Sequence, residues 1–257
     1  MKRGPASQIE RLEWELDGRR APVRVVVNPR ARRLIVRVDA ARREVVVTAP
    51  TARDAPRALR FAESRRDWIA NALRDAPEPL PFAPGAAAPY LGEAHVIRHA
   101  PDQRRPVLRD PDAREISVGG DARHLARRLA DWLRNEARAE ISLRVERYAA
   151  ALGRKPGRLS LRDPKSRWGS CGRNGDMSFS WRLIFAPPYV VDYVAAHECA
   201  HLVHMDHSPA FWALVAQLYG DPARAAAWMS ENGARLHAYG AAASSDPAAT
   251  RNDEIAH

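Results

Sequence analysis

The sequence predicts an α+β fold in which a small β-rich N-terminal region precedes a second domain that carries a histidine motif on a helix. Short runs of β-branched residues dominate the first part of the chain, and longer segments with apolar residues at helical spacing follow. One of those segments contains the motif, His197-Glu198-Cys199-Ala200-His201. We therefore expect four parts: an N-terminal extension over 1–20, a β-rich region over 21–120, the motif-bearing domain over 121–239 and a disordered tail over 240–257.

The β-rich region begins with three β-branched runs, over 23–27, 34–38 and 44–48. Turn-forming residues separate the runs, so the pattern predicts a small antiparallel meander. A helical stretch follows Pro50, and the segment 76–89 is rich in Pro, Ala and Gly, which predicts a loop. Two further strands are expected, over 94–98 and 115–118.

The motif-bearing domain is expected to be mainly helical. Asp121 begins a long helix that Gly153 ends, and two strands follow over 158–162 and 177–184, joined by a Gly- and Ser-rich stretch. Three dipeptides then predict helix starts, because proline suits the first helical turn and Ser or Asp caps it. These are Pro187-Pro188, Ser208-Pro209 and Asp221-Pro222.

The composition limits the function classes. The net charge of +10 comes largely from arginines spread along the chain, which fits a nucleic-acid partner, an anionic small substrate or solubility alone, the last being favoured. Two cysteines make no disulfide framework. The N-terminal residues lack the apolar segment of a secretory signal, and no run approaches the roughly 18 apolar residues of a membrane span. We expect a cytoplasmic protein without a membrane segment, and the oligomeric state stays open.

The histidine motif has the spacing of a catalytic zinc site. Residues four apart share one face of a helix, so His197 and His201 can bind one ion. Glu198 lies on the flank of that face, where it reaches a zinc-bound water rather than the metal. Zinc acidifies such a water, and the glutamate removes and delivers the proton. The pattern predicts a zinc-dependent hydrolase with Glu198 as the general base.

A catalytic zinc needs a third protein ligand, and two histidines are candidates. His204 lies about 10 Å along a straight helix from His197, at about 1.5 Å per residue, which makes it a poor one. His207 lies six residues after His201, just before a predicted helix start, and a turn can return it to the ion. We expect Asp206 to supply the left-handed residue of that turn.

Two plainer interpretations of the motif compete with catalysis. The histidines could be satisfied surface residues, or the site could be a closed structural one with Cys199 as the fourth ligand. Cys199 lies only two residues from His197 and therefore points to another helix face, which disfavours the closed site.

Several motifs in order resemble the YgjP-like metallopeptidase-domain family. They are Ser166-Arg167-Trp168-Gly169-Ser170-Cys171, Ser180-Trp181-Arg182-Leu183-Ile184, Tyr193–Leu202 with the histidine motif, His207-Ser208 and Phe211-Trp212. The resemblance extends upstream and covers about residues 20–239. It implies a zincin-like α+β catalytic domain after a β-rich region, with His197, His201 and His207 as ligands and Glu198 as general base.

The chain departs from the family pattern at two positions. Cys199 stands where leucine is usual, and Asp206 stands where asparagine is usual. Cys199 is a small apolar side chain and should change little, whereas Asp206 adds a negative charge near the site. The resemblance implies either metallopeptidase activity or the nucleoside-triphosphate pyrophosphatase activity on UTP that has been assigned within the family.

The basic, Gly-containing segment before the histidine helix is the candidate substrate-binding segment. Arg167, Ser170 and Arg173 could hold a phosphate tail through guanidinium and N–H groups, or pair with a peptide backbone. Trp168 is expected to pack against the domain and hold the segment. The leading hypothesis is therefore a zinc-dependent hydrolase acting on a peptide or a nucleoside triphosphate. The alternative is a nucleic-acid-binding protein with a structural or vestigial zinc site, which is disfavoured because such a site has no need of Glu198.

Overall fold

The computed structural model describes residues 7–39, 42–164 and 167–241. They belong to two compact units: the first contains the described residues up to Leu80 together with Ala241, and the second extends over Pro81–Gly240. The first six residues of the predicted extension, and residues 242–257 of the predicted tail, lie outside the described part of the chain. The predicted α+β class is confirmed, because both strands and helices build each unit.

In its described residues, the first unit combines one mixed sheet with two α-helices. Its elements are β1 (Ser7–Leu16), β2 (Arg19–Val27), β3 (Ile35–Asp39), β4 (Glu44–Ala49), α1 (Ala55–Glu63) and α2 (Arg66–Arg74). The strand order is β1-β2-β4-β3, in which β2 and β4 run parallel and the other pairs antiparallel. Buried aliphatic side chains of β2 and β4 pack against apolar residues of α1 and α2.

The predicted antiparallel meander is wrong. The consecutive residues Val45, Val46 and Val47 are all buried, so β4 is covered on both faces and takes a central position between β2 and β3. The other edge of β2 pairs with β1, whose residues lie in the predicted N-terminal extension. Asp17 and Gly18 close this hairpin with φ of 50° and 72°, the left-handed geometry of a two-residue turn.

The second unit contains two small sheets and four helices among the described residues. Its elements are β5 (Ala87–Tyr90), β6 (Glu93–Ala100), β7 (Val107–Asp110), β8 (Glu115–Gly119), α3 (Leu125–Ala151), β9 (Leu159–Arg162), β10 (Gly169–Cys171), β11 (Met177–Ser180), α4 (Pro188–Ala200), α5 (Pro209–Tyr219) and α6 (Ala223–Leu236). The sheet orders are β5-β6-β8-β7 and β10-β11-β9.

Several element predictions for this unit need correction. The predicted loop contains most of β5, the strands β7 and β10 were not predicted, and β11 ends at Ser180, where a 3-10 helix begins. The division predicted after residue 120 falls inside this compact unit, because β7 and β8 pack against α3. The three proline-containing helix starts are confirmed: Pro188 begins α4, Ser208 caps α5, and Asp221 accepts a hydrogen bond from the N–H of Ala223.

Helix α4 lies at the centre of the second unit. It contacts α3, α5, α6 and β10, and most of its side chains are buried. None of the helices in the described residues is long and apolar enough to cross a membrane.

A buried arginine connects distant segments of the second unit. Arg182, in the 3-10 helix, is 7% exposed, and its Nε donates to Asp163 Oδ1 at 2.6 Å. Its Nη1 donates to the carbonyl oxygens of Leu236 and Tyr239, at 3.0 and 2.7 Å. The guanidinium therefore satisfies carbonyl groups at the end of α6, which a smaller side chain would leave without partners.

We expect Arg182→Ala to lower the free energy of unfolding by about 3 kcal/mol, the lower end for a broken buried pair because Asp163 is partly exposed. The measurement is urea unfolding followed by far-ultraviolet circular dichroism. Arg123→Ala is the matched control, because Arg123 forms an exposed ion pair with Asp121 and should contribute little. Equal stability of the two variants would contradict the role given to Arg182.

Candidate metal centre

Three histidine side chains converge at the end of α4. His197 and His201 lie one helical turn apart, with ring centroids 5.1 Å from each other. The turn after the helix returns His207, whose Nε2 lies 3.2 Å from Nε2 of His197 and whose ring lies 4.9 Å from that of His201. One nitrogen from each ring lies within 4.8 Å of the others, so the three can hold a single ion.

The turn between the second and third histidines orients His201. Its Nδ1 lies 2.9 Å from the carbonyl oxygen of His204, and that contact is made when Nδ1 carries the proton. The lone pair is then on Nε2, which is the atom left for a metal. His204 therefore contributes its backbone to the site, and its ring is not part of the ligand cluster of the described residues.

The prediction of a left-handed Asp206 is wrong. Among described residues other than glycine, positive φ occurs only at Asp17, Arg43, Leu91 and Arg114. The turn closes instead as a bend in which Oδ1 of Asp206 accepts a hydrogen bond from the N–H of Ser208 at 3.4 Å. A hydrogen bond to the side chain of Asp206 thus closes the turn, in place of the left-handed backbone conformation that was predicted.

An aromatic side chain forms the floor beneath the three imidazoles. Phe211 is fully buried, and its ring stacks on that of His201 with a centroid distance of 4.5 Å. It also lies 4.9 Å from His197 and 4.8 Å from His207. Ser208 caps α5 by accepting from the N–H of Phe211, which places the ring directly after the third histidine.

The imidazoles of His197 and His201 are in the chemical form that a metal requires. Burial lowers the pKa of His197 to about 4, and the neighbouring rings of His201 and His207 act in the same direction. Burial also lowers the pKa of His201. Both rings are therefore neutral at pH 7, with lone pairs available to a cation. Three imidazole nitrogens that can reach one ion match a catalytic zinc, which keeps a further position open.

Glu198 lies beside the cluster and against the backbone of β10. It is 5% exposed, and burial raises the pKa of its carboxyl to about 7, although the positive charge of Arg167 acts in the opposite direction. A Cβ atom at position 169 would lie 2.5 Å from Oε1 of Glu198, so any residue other than glycine there would displace the Glu198 side chain. A carboxyl group with this pKa can both accept and release a proton near neutral pH.

The comparison with known families agrees with this geometry. The sequence model described as "YgjP-like, metallopeptidase domain" matches residues 32–232. The chain belongs to the YgjP-like metallopeptidase-domain family. No curated protein matches the chain.

Among solved structures, the chain is similar to the crystal structure of the metallopeptidase zymogen of Pyrococcus abyssi abylysin. The two are 21% identical, over 37% of this chain and 94% of that one, with a TM-score of 0.33.

The candidate substrate residues of this YgjP-like domain occupy different environments. Arg167 is exposed, and its charge acts on Glu198. Ser170 is partly buried in β10, opposite Ser178, and Arg173 is exposed in the turn between β10 and β11. Lys165 and Ser166, from the same segment, lie outside the described residues. Substrate binding by Arg167, Ser170 and Arg173 stays a prediction.

Trp168 holds the segment to the last helix. Its ring stacks on that of His237 at 4.9 Å, and a Cβ atom at position 233 of α6 would lie 3.3 Å from Cζ2 of the indole. This contact holds β10 in place. The backbone of β10 at Gly169 in turn lies against Glu198.

The cysteines are not ligands of the cluster. Cys199 is fully buried, and its Sγ lies 3.7 Å from the carbonyl oxygen of Val145 on α3. Cys199 and Cys171 are both free thiols. The closed zinc site with Cys199 as a fourth ligand is therefore excluded.

Three contributions to the site escaped the sequence analysis. They are the close approach of Gly169 to Glu198, the floor formed by Phe211 and the carbonyl of His204. A signal existed for the first, because a glycine inside a strand often marks a close approach of another group. The other two depend on how the turn between α4 and α5 folds, which no local pattern indicates.

We expect about one zinc ion per chain, lost in His197→Ala, His201→Ala and His207→Ala. His204→Ala should retain it, because that residue contributes a backbone carbonyl. Zinc content after dialysis, with affinity from chelator competition, measures the contrast, and a change at a supporting residue weakens affinity only about 10–100-fold. Wild-type affinity in His207→Ala would disprove its assignment as the third ligand.

Proposed function

We propose that this chain is a zinc-dependent peptidase in which Glu198 is the general base. The observation that carries the proposal is a buried carboxyl group next in sequence to one of three converging imidazoles. A structural metal site needs no such carboxyl group, which argues against the nucleic-acid-binding alternative. The two free thiols support a reducing, cytoplasmic location, which stays a prediction.

The residues of the site divide the chemistry among them. A zinc ion held by the imidazoles would supply Lewis acidity and lower the pKa of an adjacent water toward about 7. A carboxylate oxygen of Glu198 then accepts a proton from the attacking water and later donates it to the leaving amine. Arg167 favours the carboxylate form of Glu198, in which it acts as a base. Burial keeps that oxygen basic enough to take the proton.

Strand β10 supports a peptide substrate. It lies at the edge of its three-stranded sheet, so an extended peptide can pair with it by main-chain hydrogen bonds. Because Gly169 lies against Glu198, a peptide on this edge would pass beside the carboxylate. We propose that Arg167, Ser170 and Arg173 contact the peptide on either side of the bond that is cleaved.

A nucleoside triphosphate such as UTP is the second candidate substrate. It is favoured by the exposed guanidinium groups of Arg167 and Arg173, which precede and follow β10 and could bind phosphate oxygens.

We expect Glu198→Gln to retain zinc and lower the rate of hydrolysis by a factor of about 10²–10⁴, because general-base catalysis contributes that much. The assay uses the zinc-loaded full chain with unfolded casein and, separately, with UTP. A residual rate above about a tenth would show that Glu198 is not the base. Glu198-dependent hydrolysis of UTP without hydrolysis of casein would identify a nucleoside triphosphate, and not a peptide, as the substrate.

Gly169→Ala should lower the rate at least about tenfold while zinc content stays near that of the wild type. The added methyl group would overlap the Glu198 carboxyl, which must then move from its position near the imidazoles. Gly172→Ala is the matched control from the same segment, because a Cβ atom there meets Oδ1 of the exposed Asn174 at 3.0 Å and does not meet the Glu198 side chain. Full activity in Gly169→Ala would show that the position of Glu198 is not set by this strand.

A further inference from the structure

Three large apolar side chains that flank the third ligand in the sequence are exposed. Val203, Met205 and Trp212 are 39%, 45% and 42% exposed, and all three lie within ten residues of one another around the third ligand. Large apolar groups in water are unfavourable, and a cluster of them usually marks a surface that binds something.

Trp212 is the member of this group whose distance from the ligands is defined. Its ring lies 5.7 Å from that of His197 and 5.9 Å from that of His207. Phe211 lies beneath the ligands, and the Trp212 ring stands almost perpendicular to it, at 5.2 Å and 85°. Phe211 is thus the buried floor, and Trp212 is an exposed wall at the rim.

The distances set which part of a substrate meets this wall. Consecutive residues of an extended peptide are about 3.3–3.6 Å apart, and the indole is less than two such steps from two ligand rings. A peptide whose scissile carbonyl lies at the imidazoles therefore has the side chain of an adjacent residue within reach of Trp212. An indole face gains most from a flat or bulky apolar group.

The negative charge of Asp206, on the turn that carries the third ligand, disfavours peptides with an acidic side chain at this position. Asp206 is exposed and lies between Met205 and the third ligand. Its carboxylate would repel an acidic group placed against the rim, whereas it has no such effect on an apolar one.

We propose that Trp212, together with Val203 and Met205, forms a subsite that selects peptides with a large apolar or aromatic side chain next to the scissile bond. This specificity rests on the peptidase function proposed above, and it assigns a role to Trp212 that the metal chemistry does not require.

The test separates binding from cleavage. The zinc-loaded Glu198→Gln chain is titrated with two fluorescein-labelled peptides, Gly-Gly-Phe-Gly-Gly and Gly-Gly-Ala-Gly-Gly, and fluorescence anisotropy gives the two dissociation constants. The single large side chain sets the register of the peptide. We expect the phenylalanine peptide to bind about tenfold more tightly, as is usual for filling an apolar pocket.

In the Trp212→Ala background this ratio should fall to about one, and in Trp212→Phe it should stay close to that of the parent, because phenylalanine restores an aromatic wall. Trp68→Ala is the matched control. Trp68 is 51% exposed on α2 in the first unit, so its loss removes an exposed indole that belongs to the other unit and should preserve the ratio. Zinc content and the thermal midpoint show whether each variant is folded. If Trp212→Ala does not fold, the ratio measured in Trp212→Phe still tests the proposal.

Equal affinity of the parent chain for the two peptides would overturn the proposal, as would an unchanged ratio in Trp212→Ala. UTP binding that is tighter than peptide binding and is lost in Trp212→Ala would also overturn it, in favour of a nucleobase stacked on the indole. A Trp212-dependent preference in binding, without cleavage by the chain that retains Glu198, would support the subsite and refute the peptidase function.

Discussion

Burial of α4 on almost every side is the constraint on which the metal centre depends. Eight of its thirteen residues are buried, and the helix contacts α3, α5, α6 and β10. Its small buried side chains, Ala195, Ala196 and Ala200, allow these neighbours to approach closely. A helix packed in this way has no freedom to rotate, so the directions of His197, Glu198 and His201 are fixed before any ligand binds.

Groups that take no part in the reaction hold the reactive ones in place. The carbonyl of His204 orients the ring of His201, Phe211 supports all three imidazoles, and the backbone of Gly169 defines the position of Glu198. Trp168 in turn holds that strand to α6. The wall opposite Glu198 is therefore connected to the end of α6.

The sequence correctly predicted the features that depend only on residues close together in the chain. A proline in the first turn and a Ser or Asp cap act within a few residues, and the starts of α4, α5 and α6 follow from them. Strand pairing was not predictable in the same way. The parallel pairing of β2 with β4 depends on which strand buries both faces, and β10, with only three residues, has no pattern long enough to recognise.

The sequence by itself determined the pair of histidines on one helix face, the glutamate between them and the candidacy of His207, because four-residue spacing and helix capping act over short distances. Only the tertiary structure decided how the site is completed. The return of His207 depends on a bend held by Asp206 and Ser208, and the position of Glu198 depends on a strand some thirty residues earlier. The exposure of Trp212 beside a buried Phe211 depends on which face of α5 packs against α4. These contacts join residues that are distant in the chain, and no local pattern of residue types encodes them.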